Sequence, residues 1–203
     1  MNAFEQALQS YIGQERLDKI RQFKIGIAGA GGLGSNCAFN LVRSGFNRFK
    51  IVDFDIVEPS NLNRQFYFSD QLNIPKVDAL KTNLLRINPD LDIEILHTML
   101  TRENTKEVFR DCDVVVEAFD KVIFKTMLAE SFFSSGKLLV SASGLGGWGK
   151  SDDLITRKVH DRFYIVGDFT SEVNEEVPPI SPRVNIAAAK QADIVLSVVL
   201  NEL

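Results

Sequence analysis

The sequence predicts an α/β protein built on one open, doubly wound, mainly parallel sheet. Three observations predict it. Short β-branched runs alternate with stretches of helical period from Phe23 to about Ser143. One of those runs, Val114-Val115-Val116, is apolar at every position, as a strand covered on both faces must be. Between the first such run and the helix after it stands Gly29-Ala30-Gly31-Gly32-Leu33-Gly34, a turn that only a strand-to-helix junction uses well.

The elements follow in order. Phe4, Leu8 and Ile12, then Leu17 and Ile20, give one or two amphipathic helices broken near Gly13. Phe23 to Ala28 is the first strand. The helix carrying Cys37, Ala38, Leu41 and Val42 stops at Ser44-Gly45. Phe49 to Asp53 is the second strand, and a polar stretch without period runs from Phe54 to about Ile74. A helix starts at Pro75, with Val77, Leu80, Leu84 and Leu85 on its apolar face, and ends before Asn88-Pro89. Ile93 to Leu96 is strand three and Arg102 to Phe109 a short helix. Strand four is followed by a helix from about Val122 to Phe133, and Leu138 to Ser141 is strand five.

Beyond Ser143 the pattern loosens. Arg162 to Val166 is a possible further strand, and Val184 to Leu200 an apolar closing helix suited to burial in this subunit or a dimer partner. The whole reads as a single domain, 1–203. N-terminal helices occupy 1–22, a Rossmann-like nucleotide-binding core 23–143, and a C-terminal extension 144–203. In that extension, prolines 178, 179 and 182 predict a mobile loop over 171–182.

Bulk properties exclude several classes. A net charge of −4 with no basic cluster disfavours nucleic acid as the main partner. No apolar run approaches a membrane span, and the N-terminus lacks the pattern of a signal peptide, so a cytoplasmic protein is expected. The two cysteines, Cys37 and Cys112, form no Cys-x-x-Cys pair, so no zinc is expected.

The glycine turn carries the first chemical signal. Its glycines allow a tight turn and close approach of a ligand, and the helix behind it offers free N–H groups to phosphate. Asp53 follows Gly34 at the end of strand two, where a carboxylate can accept from ribose hydroxyls. Glycines kept only for helix–sheet packing are the alternative, and these residues alone would suit a nicotinamide-dependent oxidoreductase equally well. The segment that follows changes the balance. Asp53-Phe54-Asp55 leads to Ser60-Asn61-Leu62-Asn63-Arg64-Gln65, and Lys76 opens the next helix. Two cations near a nucleotide's phosphates suit nucleotidyl transfer better than hydride transfer, because charge builds on phosphate oxygens.

With the glycine turn, Asp53 to Asp55, Ser60 to Gln65, Pro75-Lys76, Ile87-Asn88-Pro89 and Asp120 in order over about residues 13 to 130, the sequence resembles the ThiF/MoeB/HesA adenylyltransferases, relatives of the ubiquitin-activating enzymes, and their short ThiF-like branch in particular. The resemblance implies ATP and Mg²⁺ as cofactors and adenylation of the C-terminal glycine of a small ubiquitin-like sulfur carrier ending in Gly-Gly. Thiamine thiazole synthesis is the first pathway it suggests, and a homodimer is implied. By the same resemblance Asp53 holds the ribose, Gly31 and Gly32 let the nucleotide approach, and Gly29 and Asp55 count with the nucleotide-binding residues. Ser60, Asn61, Arg64 and Lys76 face the phosphates, and Asp120 holds the metal. Lys121, where an uncharged polar residue is common, tunes the phosphate site or faces solvent. Arg64, Lys76 and Asp120 are the expected catalytic set.

Three departures bear on the chemistry. No arginine precedes Gly13, so Arg16 is the first candidate to replace the N-terminal arginine that relatives bring to the phosphates, with Arg21 the other. The zinc-binding cysteine pairs are missing. No cysteine follows Cys112, so adenylation without an enzyme-bound thioester is expected. An oxidoreductase, a family member acting on tRNA or another carboxylate, and a non-catalytic carrier-binding protein stand as alternatives.

Overall fold

The computed structural model describes residues 1–202. Seven strands form one sheet: β1 (Lys24–Ala28), β2 (Arg48–Asp53), β3 (Asp92–His97), β4 (Val114–Glu117), β5 (Leu138–Ala142), β6 (Ile155–His160) and β7 (Phe163–Gly167). Their order is β3-β2-β1-β4-β5-β7-β6, parallel except for β6, which runs antiparallel to β7. The helices are α1 (Ala3–Ile12), α2 (Gln14–Arg21), α3 (Gly32–Arg43), α4 (Lys76–Leu85), α5 (Thr105–Val108), α6 (Val122–Phe132) and α7 (Ser181–Leu200). No helix among the described residues is long and apolar enough to cross a membrane.

The period-two alternation of the strands sorts the core into two layers. Ile25, Ile27, Phe49, Ile51, Val116 and Val140 face a layer containing residues of α3, α4 and α7. Ala28, Val52, Val115 and Leu139 face Phe109, Met127, Leu128 and Phe132, from the α5 and α6 side. Alanines 187, 188 and 192 on α7 let it pack closely on α3, so the last helix is buried within this subunit. Both cysteines are buried and unpaired.

At the start of the chain, Asn2 caps α1 by accepting from the Glu5 amide at 3.0 Å. Its side chain also donates to Asn88 at 2.6 Å, and Glu5 pairs with Arg21 at 2.8 Å. Asn88, part of the Ile87-Asn88-Pro89 motif, thus fastens the N-terminal helices to the end of α4.

The structure adds detail at four points. Within the single domain, residues 144–202 of the C-terminal extension contribute β6 and β7 to the same sheet. Strand β6 was not predicted because all six of its residues are exposed, leaving no buried face to impose an apolar alternation. The short helix expected from Arg102 begins only at Thr105, because the Asn104 side chain accepts from the Thr101 amide at 2.8 Å and closes a turn there. The loop expected over 171–182 ends at Ile180, since Ser181 and Pro182 form the first turn of α7, where proline's fixed φ suits a helix start.

Candidate active site

All the strands except β6 end at one edge of the sheet, and the predicted site residues gather there. Gly29 leaves β1 with φ of 98° while its amide donates to the Val52 carbonyl at 2.8 Å, a conformation that favours glycine. A Cβ on Gly34 would fall inside the Gly29 carbonyl, so this glycine permits the helix to start directly against the turn. Gly31 differs from both. No heavy atom lies within 4 Å of where its Cβ would stand, which leaves open space over the first turn of α3.

Asp53 accepts from the Ala30 amide at 2.6 Å and from the Asp55 amide at 2.8 Å, one on each oxygen. Burial pushes its carboxyl above the ordinary range; those amides and nearby Lys76 pull it back in part, and Asp55 pushes it up slightly. A carboxylate offers about four acceptor sites, so two remain. Lys76 is 6% exposed and its ammonium pairs with the half-exposed Asp55 at 2.8 Å. It is therefore a cation already partnered within the acidic turn. Tyr67, not singled out from the sequence, lies with its hydroxyl 2.7 Å from the Ala30 carbonyl and 3.2 Å from that of Lys76, bracing the glycine turn against α4.

The segment from Ser60 to Phe66 is laid against α3. Asn36 donates to the carbonyls of Gly32 (2.7 Å) and Arg64 (2.8 Å), and the Ser35 hydroxyl accepts from the Phe66 amide at 3.0 Å. The carbons of Arg64 consequently run over Gly32, 3.5 to 3.7 Å from the position a Cβ would take. Its guanidinium donates to the Ser60 carbonyl at 3.1 Å and to Asn63 at 2.7 Å. Asn61 is buried and its amide oxygen accepts from the Glu58 amide at 3.0 Å, closing the 3-10 turn Pro59–Asn61. Ser60 is exposed beside it.

Asp120 lies in the loop between β4 and α6. It is exposed and has no hydrogen bond or ion pair among the described residues. Arg64 lies within its field: burial lowers the guanidinium's pKa and Asp120 pulls it back up. The structure thus lays Arg64 over Gly32 and within charge range of Asp120, whose loop meets the glycine turn at Gly29 through Ala118 and Phe119. Asp53 holds the Ala30 amide, and the Asp55–Lys76 pair stands beside it. Lys121 is exposed at the start of α6. No cluster of three or more His, Cys, Asp or Glu side chains that could hold a metal exists among the described residues. A single free carboxylate beside a phosphate site fits Mg²⁺, which is held by one or two carboxylates plus phosphate oxygens and water rather than by a protein cage.

Arg16 and Arg21 do not reach this place within one chain. Arg16 lies near Leu200 and Glu202, at the far end of α7, whose 20 residues span about 30 Å. Arg21 is held by Glu5 just before β1 begins, across the sheet from the glycine turn.

Sequence reasoning also missed two buried ion pairs near the site. Glu117 pairs with Lys125 under the Asp120 loop, and Arg183 pairs with Asp168 at the start of α7. Arg183 further donates to the Gly149 carbonyl at 3.0 Å, and Val184 beside it abuts Gly32. A charged residue inside an apolar run, as in Val114-Val115-Val116-Glu117, was the available signal, because a buried charge needs a partner.

The family model described as the ThiF family matches residues 4–200. The adenylyltransferase and sulfurtransferase MOCS3 of Anopheles gambiae is 34% identical over 141 residues, covering 69% of this chain and 32% of that protein. The tRNA threonylcarbamoyladenosine dehydratase of Bacillus subtilis is 33% identical over 135 residues, 66% of this chain and 53% of that one. The chain thus spans about a third to a half of the length of these relatives. Among solved structures, the E. coli tRNA N6-threonylcarbamoyladenosine dehydratase TcdA in complex with ATP superposes with a TM-score of 0.82 at 18% identity, over 97% of this chain and 92% of that one; at this identity the likeness is one of fold.

Proposed function

We propose, from the premise that this chain belongs to the ThiF family, that it binds ATP at the glycine turn and transfers the adenylyl group to a carboxylate, with pyrophosphate leaving. The acceptor we assign is the C-terminal glycine of a small ubiquitin-like sulfur carrier ending in Gly-Gly, with thiamine thiazole synthesis as the pathway. The observation that carries the proposal is Arg64 laid over Gly32 next to the open space at Gly31, with the carboxylate of Asp120 in its field.

The chemistry needs what these residues offer. An attacking carboxylate and a triphosphate are both anions, and two unit charges 4 Å apart repel by about 1 kcal/mol in water and by more in a drier site. Arg64, half-buried and fixed by Ser60 and Asn63, gives the phosphates a preorganised cation. Asp53 accepts from the ribose with its remaining acceptor sites, and the Asp55–Lys76 pair keeps the adjoining turn charged without leaving a bare anion beside the triphosphate. Asp120 would hold Mg²⁺, which supplies charge neutralisation on the phosphate oxygens. The carrier's carboxylate oxygen forms a bond to the α-phosphorus as the bond to the bridging oxygen breaks. The leaving pyrophosphate takes the electron pair, so no general base is required. His97, whose Nε2 lies 2.9 Å from the Phe54 carbonyl, has no part in it.

The half-buried Leu196, Val198 and Leu200 on α7 support a homodimer as part of the same proposal. The buried, unpaired thiols support a reducing, cytoplasmic setting. The test is carrier-dependent exchange of labelled pyrophosphate into ATP, which should appear with a Gly-Gly carrier and vanish when its final glycine is removed. A tRNA substrate is the second reading, favoured by the 33% identity to the tRNA threonylcarbamoyladenosine dehydratase of Bacillus subtilis. ATP consumption stimulated by tRNA and indifferent to every carrier would replace the first reading with the second.

A further inference from the structure

We propose that Glu117 is a positioning residue for Asp120, acting through a closed buried brace with Lys125 and Ser141; the proposal rests on the assignment of the metal to Asp120. Glu117 ends β4 and is 1% exposed. Its Oε1 accepts from the Phe119 amide at 2.7 Å and from the Lys125 ammonium at 3.2 Å. Its Oε2 accepts from Lys125 at 3.1 Å and from the Ser141 hydroxyl. The third proton of Lys125 goes to the Ala142 carbonyl at 2.9 Å, and the Glu117 carbonyl accepts from Gln191 at 3.0 Å.

Every acceptor of the carboxylate and every donor of the ammonium is therefore used. Glu117 has nothing left to offer a ligand directly. What it does is fix the path of the chain. The carboxylate grips the amide of Phe119, the residue immediately before Asp120, and Lys125 grips both that carboxylate and β5 from the first turn of α6. Four elements are tied to one residue: β4, β5 and α6 through its carboxylate, and α7 through Gln191 on its backbone carbonyl.

Stability alone is a poor account of such a cluster. Burying two charges costs several kcal/mol, and an apolar pair of equal volume would pack the sheet as well or better. Asp120, by contrast, has no hydrogen bond of its own among the described residues, so its carboxylate is placed through its two neighbours: the gripped Phe119 amide before it and the Lys121 carbonyl after it, which accepts from the amides of Phe124 and of Lys125 itself. Residues holding a metal-binding group in place commonly change metal affinity tenfold or more when altered. The rest of the turn is secured independently, by Ala118 donating to the Ala28 carbonyl and Gly29 to that of Val52. Nucleotide binding without metal should then survive loss of the brace.

The experiment is a titration of Mn²⁺ into the protein complexed with a non-hydrolysable ATP analogue, read by electron paramagnetic resonance, beside AMP affinity measured in EDTA. Glu117→Gln should weaken Mn²⁺ about tenfold, and Ser141→Ala, which removes one donor without unpairing the charges, about threefold. AMP affinity in EDTA should stay within about twofold of the starting protein. In an Asp120→Asn background neither substitution should weaken Mn²⁺ further. Additive losses in that background, or Mn²⁺ binding unchanged in both Glu117→Gln and Ser141→Ala, would overturn the proposal. Should Glu117→Gln fail to fold, Ser141→Ala and its double variant decide alone. If Asp120→Asn itself binds Mn²⁺ like the starting protein, the metal assignment is wrong, and the positioning role falls with it.

Discussion

The two edges of the sheet treat charge in opposite ways. Towards the edge where the strands begin, Lys24 and Lys50 each pair with both Asp111 and Glu94, at 2.6 to 3.2 Å, and Lys50 donates further to the Val108 carbonyl. Burial works against both lysines, yet their pKa values end up raised, while Asp111 and Glu94 are held below the ordinary carboxylate range. Each charge answers another. At the edge where the strands end, Lys76 does pair with Asp55, but Arg64 and Asp120 stand within each other's field without an ion pair, and burial raises Asp53 against the pull of its two amides and Lys76. A network closed on itself leaves no group free for a ligand. Charges assembled and left open are suited to something not yet present.

Substitutions at the glycine turn should break the comparison most severely. Gly34→Ala puts a methyl group into the Gly29 carbonyl, and we expect loss of the cooperative thermal transition. Gly31→Ala meets open space at ordinary φ, so its melting temperature should hold while ATP affinity falls. Next in size, Arg64→Ala should slow pyrophosphate exchange by about 100- to 1,000-fold with little change in melting temperature. An exchange rate unchanged by that substitution would remove Arg64 from the phosphates. Lys50→Met, at the closed edge, should do the reverse. Stability falls by about 1 kcal/mol, the partners being half exposed to solvent, and exchange proceeds normally.

Acid gives the smallest effect near neutrality. Burial pushes the Asp168 carboxyl up, but the amides of Ser171 and Thr170, then Arg183, outweigh it and hold the pKa at about 2, against an ordinary 3.8. A depressed carboxylate stabilises the fold above its unfolded value, and that contribution is lost as the pH falls from 3.8 towards 2. Denaturant melts should show Asp168→Asn less stable than the starting protein at pH 6, with the gap closing below pH 3. A gap independent of pH would mean that packing, not charge, holds the start of α7.

The same contrast explains what the sequence disclosed. Strands β1, β2, β4 and β5 are buried and apolar, so their runs announced them; β6 has no buried residue and did not. The site's own residues were legible because the glycine turn, Asp53, Arg64, Lys76 and Asp120 lie in short motifs with local reasons for their residue types. The supporting pairs were not. Glu117 meets Ser141 across 24 residues, and Lys24 meets Asp111 across 87, and only parallel strand order brings such residues together. Arg16, singled out as the first arginine of the N-terminal helices, stands within this chain beside Leu200 and Glu202, at the end of α7 away from the glycine turn, which the sequence alone did not disclose.

The most direct test is the intact mass of a Gly-Gly carrier after incubation with this protein, ATP and Mg²⁺. A carrier heavier by one adenylyl group, formed by the starting protein and lost with Arg64→Ala and with Asp120→Asn, is the predicted result. A carrier that stays unmodified while the protein binds ATP, or is adenylated equally well by both variants, would contradict it.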